Sequence, residues 1–252
     1  MTKTTLVKAS TIALLSTVLA ACGGGGGGSA DVTAPATPAP TPTLSNIQGF
    51  WNATLSGTSS ASAVILPNGQ AWVVYEAAGA ITALAQASLS VNGTTYSSSG
   101  KYYSLPGGGA QGYSLSGTLP VAGSGSLSNS VRIGSDAATA MTWTYSKAYE
   151  TALSQSSVQG RWSGTLGANS VSWDFDAAGK LTGTSTTGCT YSGSLTVNAA
   201  AVAVLDAAIT EACAGASQSL TGIARLSADK GSMSLAYITA AGAQGGVIVL
   251  GK

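Results

Sequence analysis

From Leu44 to Lys252 the chain is a succession of short apolar runs broken every few residues by Gly, Asn, Asp or Pro. Ala63-Val64-Ile65-Leu66 and Gln70 to Tyr75 flank Pro67-Asn68-Gly69. Leu89-Ser90-Val91 and Thr94-Thr95-Tyr96 flank Asn92-Gly93, a pair that favours positive φ and a tight hairpin. Ser130 to Gly134 and Thr139 to Ser146 flank a turn at Ser135 to Ala138. Val171 to Phe175 and Lys180 to Ser185 do the same around Asp176-Ala177-Ala178-Gly179. Thr142-Trp143-Thr144-Tyr145 and Ser232 to Tyr237 alternate with the period of two that a strand with one buried face shows. The pattern predicts β-structure throughout. Ala199 to Ala214 is open between strand and helix, because its alanines suit either. A short helix is expected over Tyr149 to Ser154.

The pattern is used twice. Ile47-Gln48-Gly49-Phe50-Trp51 with Thr54-Leu55 matches Val158-Gln159-Gly160-Arg161-Trp162 with Thr165-Leu166, at an offset of 111 residues. Tyr113 to Leu119 is also echoed by Tyr191 to Leu195. The repeat is too long for a solenoid and suits two small domains, expected at 44–150 and 157–252. About eight short antiparallel strands in each half most economically close into a barrel, which leaves no exposed edge. Two tandem antiparallel β-barrels are therefore expected, with two β-sandwiches as the alternative. Gly-x-Trp at the start of each half resembles lipocalin- and avidin-like barrels, a resemblance that implies a Trp plugging the barrel floor.

Ahead of the β region lies a different kind of sequence. Lys3 and Lys8 precede an apolar run from about Thr11 to Ala20. That run is shorter than the roughly 20 residues of a membrane-spanning helix and has the proportions of a secretory leader. Leu19-Ala20-Ala21-Cys22 resembles the lipobox of bacterial lipoproteins. The resemblance implies cleavage after residue 21 and acylation of Cys22, so that the membrane is reached through a lipid anchor. Gly23 follows where an inner-membrane retention signal would place Asp, so the outer membrane is the expected address, on either its periplasmic or its outer side. Gly23 to Gly28 and a stretch with Pro35, Pro38, Pro40 and Pro42 then form a tether over 22–43, flexible first and extended after. A lipid-anchored pair of β-domains on such a stalk resembles, in architecture alone, the surface lipoproteins of the transferrin-binding protein B and factor H-binding protein type.

Composition narrows the chemistry. Charged residues make up 8% of the chain, and the net charge is +1 with the leader's two lysines included. No basic footprint for nucleic acid is present. The chain has no His, which excludes imidazole-based triads and the commonest metal ligands. With Cys22 assigned to lipidation, Cys189 and Cys213 remain as a pair, expected to form a disulfide in an oxidising compartment. Asp174 and Asp176 followed by Gly179 faintly resemble the start of a calcium loop. Ala178 stands where a further ligand belongs, though, and a hairpin turn is the expected reading. Ser98-Ser99-Gly100-Lys101 and Ser227-Ala228-Asp229-Lys230 fit Ser-x-x-Lys but lie in turn-like contexts without the partner motifs. No metal or cofactor is expected.

Aromatic residues concentrate in the first half. Trp51, Trp143 and Tyr145 read as barrel filling, whereas Trp72, Tyr75, Tyr102 and Tyr103 are candidates for an exposed binding patch. Tyr102 and Tyr103 are adjacent, so one of them must face outward. The expected function is that of a non-enzymatic binding or interaction module for a protein or small-molecule ligand. A structural accessory of an envelope complex and an envelope hydrolase are the competing classes.

Overall fold

The computed structural model describes residues 43–166, 169–201 and 203–252. The leader, Cys22 and the tether lie outside the described residues. The first barrel is built from β1 (Gly49–Thr54), β2 (Ser59–Ile65), β3 (Gln70–Ala77), β4 (Ala80–Asn92), β5 (Thr95–Ser104), β6 (Ala110–Thr118), β7 (Ser126–Ile133) and β8 (Thr139–Ser146). The second comprises β9 (Gly160–Leu166), β10 (Asn169–Phe175), β11 (Lys180–Ser185), β12 (Thr190–Val197), β13 (Leu205–Cys213), β14 (Ala216–Leu226), β15 (Ser232–Thr239) and β16 (Gly245–Gly251). Each strand pairs antiparallel with its sequence neighbour, and the first and last of each set pair to close the ring. Two eight-stranded antiparallel barrels result, as the sequence predicts, and both belong to one compact unit.

The repeated motif performs the same task twice. A 3-10 turn, Leu44–Asn46 or Gln155–Val158, leads into the first strand of each barrel. Trp51 and Trp162 then turn inward, 1% and 0% exposed, and each indole N–H donates to a backbone carbonyl four residues earlier. These bonds, to Ile47 at 2.8 Å and Val158 at 2.7 Å, pin the turn against the barrel end and satisfy a buried polar atom. The glycines two residues before each Trp hold φ at +145° (Gly49) and +110° (Gly160), a backbone that side chains rarely accept. Further along, the Leu89 and Leu195 amides donate to the turn carbonyls of Gly69 and Gly179, again in matching places.

The interiors are filled by side chains. In the first barrel the inward positions of β1–β4 are largely alanine, including Ala53, Ala61, Ala63, Ala71, Ala83, Ala85 and Ala87. Trp51, Tyr75, Tyr96, Tyr113 and Trp143 occupy the space they leave. Pairing small with large residues lets an eight-stranded ring reach interior packing density. The second barrel is filled instead with Trp162, Trp173, Phe175 and a set of Leu, Ile and Met residues.

Three local readings are corrected and one left open is settled. Over Tyr149 to Ser154 there is no continuous helix; 3-10 turns Lys147–Glu150 and Gln155–Val158 flank an extended stretch. Leu205–Cys213 is a strand despite its alanines, because Leu205, Ala207 and Ile209 face the core while pairing on both sides supplies the backbone hydrogen bonds. At Asn92-Gly93 the hairpin forms one residue later, with Asn92 paired to Thr95 across Gly93 and Thr94. The Tyr113 and Tyr191 segments fall on the sixth strand of one barrel and the fourth of the other, so that echo is not a structural equivalence.

Candidate functional site

Alternation along β5 sends Tyr102 into the first barrel and Tyr103 outward, as the adjacency requires. The outward ring is nevertheless not exposed. Tyr103 is 0% exposed because the second barrel covers it. Its hydroxyl donates to the Gly242 carbonyl at 3.0 Å, and its ring lies against Gly245, where a Cβ would stand 2.7 Å from the ring. Trp72 is also buried, beside Phe50, Val64 and Leu84 on the outer face of the first barrel. Tyr75 points inside, where its hydroxyl meets that of Tyr113 at 3.1 Å, and the half-buried Tyr102 ring lies 5.8 Å from it. The expected exposed patch of Trp72, Tyr75, Tyr102 and Tyr103 is therefore not formed. Two of its members serve the interface between barrels and two serve the barrel interior.

That interface was not anticipated. Phe50, Val64, Trp72, Leu84 and Tyr103 of the first barrel form one buried cluster with Ile223, Ala236 and Val247 of the second, together with Tyr149 of the connector. The signal for it lies in the sequence: Phe50 and Trp51 are adjacent and both bulky, and Val247 and Ile248 are adjacent and both apolar. Strands covered on both faces read in this way.

Beside this cluster a groove of about 770 Å³ opens between the barrels. One wall comes from β1, β2, β3 and β8 and carries Asn52, Ser62, Val64, Trp72, Glu76 and Thr144. The opposite wall comes from β14 and β15 and carries Ile223, Arg225, Ser234 and Ala236. The Arg225 guanidinium lies 4.7 Å from the centre of the Phe50 ring, a cation–π contact across the interface. Burial pulls its pKa below the ordinary arginine value, and the Glu76 carboxylate acts in the opposite sense. Among the described residues the only ion pair is Arg161–Asp174, on the exposed face of the second barrel, so Arg225 has no carboxylate within salt-bridge distance. The indole N–H of Trp72 is buried without an acceptor, an arrangement that costs about 1–3 kcal/mol.

Other sequence candidates resolve into local structure. Cys189 and Cys213 form a disulfide with an S–S distance of 1.99 Å, joining β13 to the turn before β12. Asp176 Oδ1 accepts the Ala178 and Lys180 amides, both at 2.9 Å, which makes it a turn-forming residue. Ser227 accepts the Ser232 amide across the β14–β15 turn, and Ser98 accepts the Leu115 amide across to β6. Lys101 reaches the second barrel, donating to the Gly242 carbonyl at 2.7 Å. Among the described residues no helix is long and apolar enough to cross a membrane.

Fold and groove together define a tandem-barrel protein with a polar cleft where its two halves meet. Comparison with known protein families, curated proteins and solved structures returns no match to this chain.

Proposed function

We propose that this protein is an outer-membrane lipoprotein that acts as a non-enzymatic binding module, anchored through Cys22 and presenting its paired barrels on the 22–43 tether. The observation that carries the binding role is the groove between the barrels. It lies at a junction of two packed units, where small-molecule and partner sites are commonly found. Its polar lining contains one cation, one carboxylate, an amide and several hydroxyls. The lipobox and the Gly/Pro-rich stretch support the anchor, since a leader ending in Leu-Ala-Ala-Cys suits acylation and the tether suits display.

The anchor is tested with Cys22→Ser. A single acyl chain binds membranes only marginally, whereas multiple acylation holds a protein stably. The variant is expected to leave the membrane fraction or to accumulate as unprocessed precursor. A processed, membrane-bound Cys22→Ser protein rejects the anchor. The module reading is tested by crosslinking on intact cells, which is expected to trap a partner or ligand. Hydrolytic turnover by the purified chain, abolished by a single Ser or Asp substitution, rejects that reading.

A further inference from the structure

We infer that the inter-barrel groove binds an acidic sugar unit, with the ligand carboxylate on Arg225 and the ligand hydroxyls on the Ser and Thr side chains around it. This inference rests on the binding-module reading and gives its ligand a chemical class. The first argument is the state of the groove's polar groups. Arg225, Asn52, Ser62, Thr144 and Ser234 all line it, and none takes part in a side-chain hydrogen bond or ion pair among the described residues. Elsewhere some residues of these types are engaged, while others, Arg132 among them, are unengaged and stand on open surface rather than in this groove. Arg161 is forked onto Asp174, Ser227 bonds the Ser232 amide, and Asn198 bonds Asp206. Unengaged donors and acceptors converging on one concave space are what a ligand requires.

The second argument is the match of chemistry. The Phe50 ring holds the Arg225 guanidinium at 4.7 Å, and that guanidinium has no carboxylate partner among the described residues, so its fork of N–H donors suits the two oxygens of a ligand carboxylate. Hydroxyl side chains both donate and accept, so they match a ligand whose own groups are mostly hydroxyls. Val74, half-buried and lining the groove, supplies an apolar surface for the C–H face of a sugar ring. Glu76, exposed and lining the same groove, sets a limit on ligand charge. One arginine opposed by one carboxylate admits a monoanion and disfavours a phosphate dianion. A peptide cannot be taken by strand addition, because both barrels are closed and offer no free edge.

The test measures ligand binding to the full chain purified in detergent, by saturation-transfer NMR and calorimetry. The probes are glucuronate, galacturonate, methyl glucoside, acetate and glycine. A uronate is expected to bind about tenfold or more tightly than methyl glucoside or acetate. Arg225→Gln should weaken the uronate by about tenfold or more, and Arg225→Lys by less, since it keeps the charge and loses the fork. Ser234→Ala should weaken the uronate and leave acetate unchanged. Thermal melts establish that each variant is folded, and if Arg225→Gln does not fold, Ser234→Ala and the probe series decide. No uronate binding, uronate binding indifferent to a folded Arg225→Gln, or acetate or glycine binding as tightly as uronate overturns the inference. Because these measurements need neither membrane nor lipid, their failure leaves the anchor and crosslinking tests standing. Failure of those tests, in turn, leaves the groove measurements intact.

Discussion

Tyr103→Ala tests whether the two barrels act as one body. The ring is fully buried between them, and its β4 neighbour Leu84 is equally enclosed. An aromatic side chain buries roughly 150–250 Å², and truncating one to Ala in a packed core costs about 3–5 kcal/mol. The hydroxyl adds little to that loss. Its acceptor, the Gly242 carbonyl, keeps a second donor in Lys101 Nζ at 2.7 Å, so removing the hydroxyl does not orphan the carbonyl. Tyr103→Phe should therefore cost about 1 kcal/mol or less. For a cooperative unit of this size each kcal/mol lowers the melting midpoint by about 2–4 °C, which places Tyr103→Ala roughly 6–20 °C below the parent. Scanning calorimetry should also show the loss falling on the coupling between barrels, as a split or broadened transition. A single transition within about 2 °C of the parent would refute the reasoning. A Tyr103→Phe variant as unstable as Tyr103→Ala would refute it too, by moving the energy from the ring to the hydroxyl.

The Cys189–Cys213 bridge closes a separation of 24 residues, for which loop-closure entropy gives about 3.5 kcal/mol. The double Ala variant should melt lower, and labelling of both cysteines in the native, exported protein without reduction would count against the bridge. Tyr75, Tyr96 and Tyr191 are each pushed up to about 12, chiefly by desolvation. A raised folded pKa means stability that is complete below the unfolded value of 10.0 and lost as pH rises toward 12, so urea midpoints should fall steeply across that window. Ionisation of these three tyrosines there without unfolding, resolved by site, would contradict it. Trp51→Phe and Trp162→Phe each leave a buried carbonyl, Ile47 or Val158, without its indole donor. Each should cost about 1–3 kcal/mol by denaturant titration, and a neutral result would show that water replaces the donor.

What the sequence made legible was everything set by local period and turn chemistry. Alternating strands, turns at Pro67-Asn68-Gly69 and Asp176 to Gly179, and the paired Gly-x-Trp motifs were sufficient for two barrels. What it concealed depends on which outer face is covered. Alternation places Trp72 and Tyr103 outside the first barrel, and an outside aromatic reads as an exposed binding residue until a second barrel is set against it. Local period carries no information about that contact. The failed echo of Tyr113 and Tyr191 has a related cause. Strands of Tyr, Ser, Gly and Leu recur wherever one face is packed and the other is wet. Arg225 had no motif at all. A single basic residue in a β-strand is ordinary until the structure shows it between two walls with no carboxylate beside it.

The same strand positions differ between barrels in a way that explains which faces meet. On the first barrel the cross-strand row Phe50–Val64–Trp72 is apolar and buried. The matching row on the second barrel is Arg161–Asp174–Thr182, with the ion pair 70% and 49% exposed. The opposite faces differ as well. Ile223–Ala236–Val247 on β14–β16 is apolar and meets the first barrel, whereas Ser116–Ser130–Ala140 on β6–β8 is largely hydroxylic. The contact joins unlike faces of two similar units, which is the head-to-tail arrangement that propagates into an open array when every unit carries both faces. Here neither barrel does. The first barrel carries the apolar row on its opening strands and the second carries it on its closing strands, and the concentration of aromatics in the first half is in part a record of that contact.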